Sequence, residues 1–189
     1  MSAAVRTAVI DGREIAVYDD LVSAEEIARY FVAISHASFT RTEMARPDTI
    51  EYRHWVCEMP LQHLPRTSLW PATQQAIASM RPNEQYHPYR CYTNYASFGD
   101  VLLTHVDALP NARELTALWF LCERWDVEWG GETIFFDQTS DAQIAVSPKP
   151  GRLVLFDGAI RHAGRPPNRN CFVARYTFAI KLRVVQTTR

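Results

Sequence analysis

No two cysteines in the chain stand close enough to form a C-x-x-C metal or redox pair. Cys57, Cys91, Cys122 and Cys171 are scattered, and three of them sit inside apolar runs. They read as small buried hydrophobes in a reducing compartment. An excess of one charge is missing too. The 20 basic and 21 acidic residues leave a formal net charge of −1, so no broad nucleic-acid surface is expected. No apolar stretch approaches the length of a membrane span. Arg6 and Asp11 interrupt the first apolar residues before a signal-peptide core develops. The expectation is a cytoplasmic protein with no nucleic-acid and no membrane partner. Internal repeats, low-complexity segments and interdomain linkers are also missing.

What is there fits one globular domain. The 189 residues are 47% hydrophobic and 22% charged, enough for a single core and too few for two comfortable ones. Asp11-Gly12 is a hairpin signal between two short apolar runs. Ser23 and Glu26 form a capping box. Ile27, Tyr30, Phe31 and Ile34 then fall at helical spacing on one stripe. A second helix is expected between Ser68 and Met80. From about residue 88 the texture changes to short β-prone runs near 89–95, 100–107, 115–122, 132–136, 142–147, 152–157 and 171–183. Turn residues separate them, and Ile50 to Glu58 offers one more strand. Such punctuation suggests a sandwich or barrel. The reading is one domain over 1–189, with helical support at about 20–82 and a β core at about 88–183.

Within that core, His105 and Asp107 are two residues apart. On an extended chain they project to the same face. His162 follows 55 residues later, just after the apolar run that ends at Asp157. Two imidazoles and one carboxylate on one face of a metal leave its other positions open, the donor set suited to non-haem Fe(II). The remaining histidines, His36, His54, His63 and His87, have no such pattern and read as surface, capping or core residues. The last expected strand adds a second signal. Arg175 and Thr177 would share one face of an otherwise apolar segment. A buried guanidinium needs an anion, and its planar fork matches a carboxylate. That anion is either a nearby Asp or Glu or the far end of a dicarboxylate co-substrate. Lys181 and Arg183 read as solvated charges at the strand end.

Taken in order, these pieces resemble a known family. Arg90 to Tyr95 precedes the first ligand segment. Thr104-His105-Val106-Asp107 supplies His-x-Asp. Leu115 to Cys122 is similar to the family's core strand, and Trp129-Gly130-Gly131-Glu132-Thr133 to its Gly-Gly-Glu-Thr turn. Pro148 to Phe156 follows its Pro-x-x-Gly-x-x-x-x-Phe pattern. Arg161-His162 and Arg175-Tyr176-Thr177 complete the series. The span from Tyr89 to Leu182 resembles the catalytic core of prolyl-4-hydroxylase-type Fe(II)/2-oxoglutarate oxygenases. It is most similar to the hypoxia-factor prolyl hydroxylases and their bacterial relatives.

The resemblance implies a mostly β fold with flanking helices, a double-stranded β-helix of the jelly-roll or cupin-like kind. It implies Fe(II) on His105, Asp107 and His162, with Arg175, Thr177 and Tyr95 on 2-oxoglutarate. It also implies O2, with ascorbate as an optional reductant. Phe120 stands where the family has a second tyrosine. Trp125 and Trp129 are candidates either for the substrate mouth or for packing. The implied activity is oxidation of an unactivated C–H bond with release of succinate and CO2. Asp107 argues against a halogenase, because family halogenases replace that carboxylate. The substrate expected is a small molecule such as an amino acid or biosynthetic intermediate, with a protein or peptide substrate, a peptidyl proline above all, as the alternative. Two further rivals are an AlkB-type nucleic-acid demethylase, which has a second arginine where Lys181 stands, and a non-catalytic cupin-like metal-binding module. The oligomeric state leaves no trace in the sequence.

Overall fold

The computed structural model describes residues 4–185. Along the chain run β1 (Arg6–Ile10), β2 (Arg13–Tyr18), α1 (Ala24–Ser35), β3 (Thr40–Glu43), β4 (His54–Met59), α2 (Leu69–Met80) and β5 (Tyr86–Ala96). Then follow β6 (Glu114–Phe120), β7 (Thr133–Phe136), β8 (Ala142–Val146), β9 (Leu153–Asp157), β10 (Arg161–Gly164) and β11 (Arg175–Val184). Eight strands form one antiparallel sheet in the order β1-β2-β9-β6-β11-β5-β4-β3, and three form a second in the order β10-β7-β8. The fold is a double-stranded β-helix with helices on its outer face.

Local chemistry starts these elements where the residues suggest. Asp11 and Gly12 both take positive φ, 49° and 77°, closing the β1–β2 hairpin. Ser23 caps α1 by accepting from the Glu26 amide, and its hydroxyl donates to the Glu26 carboxylate. The central strands β6, β9 and β11 are apolar on both faces because both faces are covered. Leu115, Ala117 and Trp119 of β6 point outward with Leu153 and Leu155 onto the helix layer of Ile27, Leu69, Ala76 and Ile77. Leu118 and Phe120 point inward with Val154 and Phe156, toward Phe135 and Val146 of the second sheet. Each such large side chain contributes about 1.5–3 kcal/mol on burial. The polar atoms in the outer layer are paired: the Trp119 indole donates to the Thr73 hydroxyl at 3.0 Å, and the Tyr18 hydroxyl to the Ala76 carbonyl at 3.2 Å.

Two expected elements differ. The run at 100–107 is not a strand. It belongs to a long loop after β5 that touches the second sheet through one isolated bridge, His105 with His162. Gly99, with φ of 94°, turns the chain out of β5. The expected strand at 171–183 begins only at Arg175, and Phe172, within the expected run, is 93% exposed. Two short strands, β3 and β10, have too little periodicity to be read from sequence.

Candidate metal centre

The loop between β5 and β6 carries His105 and Asp107, and β10 carries His162. Four backbone bonds hold the loop in place. His105 and His162 exchange N–H to carbonyl bonds at 2.9 Å each way, and the Asp107 and Ala108 amides both donate to the Gly158 carbonyl. Gly158 allows this approach: a Cβ there would lie 3.0 Å from the Ala108 methyl. A single bridge thus does for His105 and Asp107 what a full strand was expected to do.

One donor atom from each of His105, Asp107 and His162 lies within 4.8 Å of the others. The rings are set by carbonyls. His105 Nδ1 lies 3.1 Å from the Leu103 oxygen and His162 Nδ1 2.9 Å from the Ile160 oxygen. A carbonyl only accepts, so each Nδ1 carries a hydrogen and each Nε2 is the ring atom left to face the cavity. Both Nε2 atoms face Asp107, at 3.4 Å from Oδ1 for His105 and 3.6 Å from Oδ2 for His162. Burial pushes His162 down to about 4, which keeps it neutral, as a metal ligand must be. Burial alone would raise the Asp107 carboxyl, but the Lys181 ammonium beside it outweighs this and holds the group well below the usual range. Two imidazoles and an ionised carboxylate facing a common space fit a non-haem iron.

Deeper in the same cavity lies Arg175, 2% exposed. Its Nε donates to the Gly131 carbonyl at 2.6 Å, Nη2 to the Thr133 hydroxyl at 2.9 Å and Nη1 to the Thr177 hydroxyl at 3.4 Å. The guanidinium lies over the Phe120 ring, 5.1 Å from its centroid. Among the described residues it makes no ion pair, and burial pushes its pKa down to about 10. The alternative of a structural ion pair with a neighbouring acid is therefore not met. A buried cation held only by neutral oxygens and a ring is a site awaiting an anion.

Tyr95 is not in this cavity. It pairs in register with Tyr176, and its ring packs against Phe39 and Tyr176 on the helix side of the sheet. Alternation along β5 decides the matter. Asn94, the partner of Thr177, and Tyr92 line the cavity, and Tyr95 is one residue out of phase with them. Lys181 also corrects its sequence reading. It is buried, 7% exposed, and its ammonium contacts Asp107 Oδ2. Asp107 holds it above its ordinary value against the downward push of burial. Its spacing from Arg175, six residues along one strand, already put it on the cavity face. Thr116, Thr133 and His54 line the cavity as well and were not singled out from sequence. Trp125 and Trp129 do not line it. The Trp125 indole donates to the Gly130 carbonyl, and the two rings stack edge to face at 5.5 Å.

Known proteins place this arrangement. No curated protein sequence matches the chain. The fold is similar to that of a viral collagen prolyl hydroxylase from Paramecium Bursaria Chlorella virus-1, with a TM-score of 0.67 and 18% identity over 98% of this chain and 97% of that one. It is similar to a prolyl-4-hydroxylase of Pseudomonas putida, with a TM-score of 0.65 and 15% identity over 89% and 91%. It is also similar to a non-heme alpha ketoglutarate dependent epimerase of nogalamycin biosynthesis, with a TM-score of 0.64 and 14% identity over 89% and 76%. At these identities the likeness concerns the fold. Residues 90–182, which hold His105, Asp107, His162 and Arg175, match the sequence model of the 2OG-Fe(II) oxygenase superfamily. The chain belongs to the 2OG-Fe(II) oxygenase superfamily and is a 2-oxoglutarate-dependent dioxygenase, with Fe(II), 2-oxoglutarate and O2 as the reagents that the family implies.

Proposed function

We propose that His105, Asp107 and His162 hold Fe(II), that Arg175 and Thr177 hold the distal carboxylate of 2-oxoglutarate, and that the enzyme hydroxylates a C–H bond of a small molecule. The observation that carries this reading is Arg175, a buried guanidinium without an acid, in the same cavity as three convergent metal donors. A plain metal-binding module has no use for such an anion anchor. When bound, iron, 2-oxoglutarate and O2 would together supply the oxidising chemistry, with succinate and CO2 as by-products.

The chain's own residues bind, orient and shield. The Leu103 and Ile160 carbonyls fix both imidazoles with Nε2 toward Asp107. Gly131, Thr133 and Thr177 aim the guanidinium. Phe120, Phe135 and Phe156 make the floor dry, which strengthens every charge interaction above it.

Size and polarity support a small substrate. The cavity has about 230 Å³ of free space, below the usual range for drug-sized ligands. Its outer wall carries Glu43, His54, Arg90, Tyr92 and Asn94, and Arg90 is paired with both Glu43 and Glu58. A wall of polar and charged groups suits a compact polar molecule such as an amino acid. A peptide substrate is the second reading. It is favoured by Phe98, Val101, Val106 and Leu109, exposed apolar side chains on the loop that brings two ligands to the centre. The test is succinate release from 2-oxoglutarate across free amino acids, natural-product intermediates and proline-containing peptides. Stimulation by a free amino acid or intermediate is expected, and stimulation by peptides alone would overturn the small-molecule reading.

A further inference from the structure

Asp107 has two oxygens in different surroundings. Oδ2 accepts from the Thr116 hydroxyl at 2.6 Å and is in contact with the Lys181 ammonium. Lys181 also donates to the Thr116 hydroxyl at 3.3 Å, which closes a three-membered ring of polar groups. Oδ1 has His105 Nε2 beside it at 3.4 Å, while His162 Nε2 lies 3.6 Å from Oδ2. The arrangement is built into the sheet. Lys181 of β11 and Thr116 of β6 are direct cross-strand partners, so both side chains rise from the same point of the sheet toward Asp107. Lys181 is buried, with Nζ 5.8 Å from the centre of the Tyr92 ring, and Asp107 is its only ion-pair partner among the described residues.

Burying an ammonium is costly unless a counter-charge meets it. A leucine or methionine would fill the same space without that cost. What the ammonium adds is a grip on one oxygen of a particular carboxylate. We propose that Lys181 and Thr116 reserve Oδ2 of Asp107, so that only Oδ1 is offered to the metal and the carboxylate is kept from closing over a second coordination position. Lys181 is thus a positioning residue acting through Asp107. Open positions are what a chelating co-substrate and O2 both require. The ammonium also repels a divalent ion that shares its carboxylate, so the metal is bound less tightly alone than the donor set would allow. With Arg175, it leaves the cavity a surplus of positive charge once metal is present, which favours the dianionic co-substrate. This inference rests on Asp107 being a metal ligand.

The test is a titration of metal-free, full-length protein with Co(II) at pH 8, followed by its visible absorption. The wild type is compared with Lys181→Met, Thr116→Val and Asp107→Ala. Lys181→Met should bind Co(II) roughly tenfold tighter, because the competing cation is gone. Its molar absorption per bound Co(II) should fall, because a freed second oxygen raises the coordination number. Thr116→Val keeps the charge and loosens the grip, so its affinity should stay within about threefold of wild type while its absorption falls in the same direction. If Lys181→Met does not fold, the spectrum of Thr116→Val decides. Wild-type spectra in the variants that fold would overturn the proposal. Equal Co(II) binding by wild type and Asp107→Ala would instead overturn the ligand assignment beneath it.

Discussion

At the scale of single residues, burial without a partner is the informative quantity. Arg175 makes three hydrogen bonds to neutral oxygens and none to a carboxylate. A charge-assisted bond to a missing anion is worth about 1.5–3 kcal/mol. Arg175→Ala should therefore raise the KM for 2-oxoglutarate roughly 10- to 100-fold. Arg175→Lys, a point charge without the fork, should fall in between. An unchanged KM in both variants would make Arg175 a packing residue. The face of Arg175 and Thr177 was legible from alternation alone. Lys181 lies on that same face, and only its place near the chain's end suggested solvent. Its contact with Asp107 comes from a loop 74 residues away in sequence, which no local pattern reports.

At the scale of elements, β5 and the loop after it behave differently from expectation for one reason each. The family resemblance implies Tyr95 on 2-oxoglutarate, but strand phase decides which side chains face the cavity. Asn94 and Tyr92 are in phase with Thr177 and Lys181, and Tyr95 is not. His105 and Asp107 reach one common space although their segment is a loop, because any locally extended chain shares the alternation of a strand. Pairing of His105 with His162, which supplies that extension, is a long-range contact invisible in sequence. The Gly130-Gly131 turn was legible as a turn but not as a support of the anion site. Gly131 has φ of 80°, and a Cβ there would meet the Trp125 ring at 2.9 Å and Arg175 Cδ at 3.3 Å. Gly131→Ala should cost about 1–3 kcal/mol of stability, read as a fall in Tm of several degrees. It should also weaken 2-oxoglutarate binding, since the Gly131 carbonyl orients Arg175. A variant with wild-type Tm and wild-type KM would refute both.

At the scale of the molecule, the helices brace the large sheet from outside and β1–β2 braces one of its edges, while the chemistry lies inside. One clasp ties the brace to the core. Asp19, after β2, is held by Arg152 at 2.8 and 2.9 Å and by Lys149 at 3.0 Å, just before β9. The Arg152 hydrogen bond is the main reason that the Asp19 carboxyl lies below its ordinary value of 3.8. As pH falls, the unfolded chain takes up this proton before the folded one. The stability that Asp19 contributes is therefore complete above the ordinary value and lost as pH drops through the lower native one. Asp19→Asn should lower stability by about 1–2 kcal/mol near pH 7. That deficit should shrink toward zero in acid, as followed by thermal unfolding across pH 2–7. A deficit independent of pH would mean that Arg152 and Lys149 do not act through the Asp19 charge.

The proposed chemistry requires one metal and one co-substrate to meet in one cavity. The most direct measurement is anaerobic addition of Fe(II) and 2-oxoglutarate to the full chain, watched for the visible charge-transfer absorption of the chelate. Wild-type protein should develop the band, Asp107→Ala should lose it, and Arg175→Ala should regain it only at much higher 2-oxoglutarate. An undiminished band in Asp107→Ala would contradict the assignment of the centre.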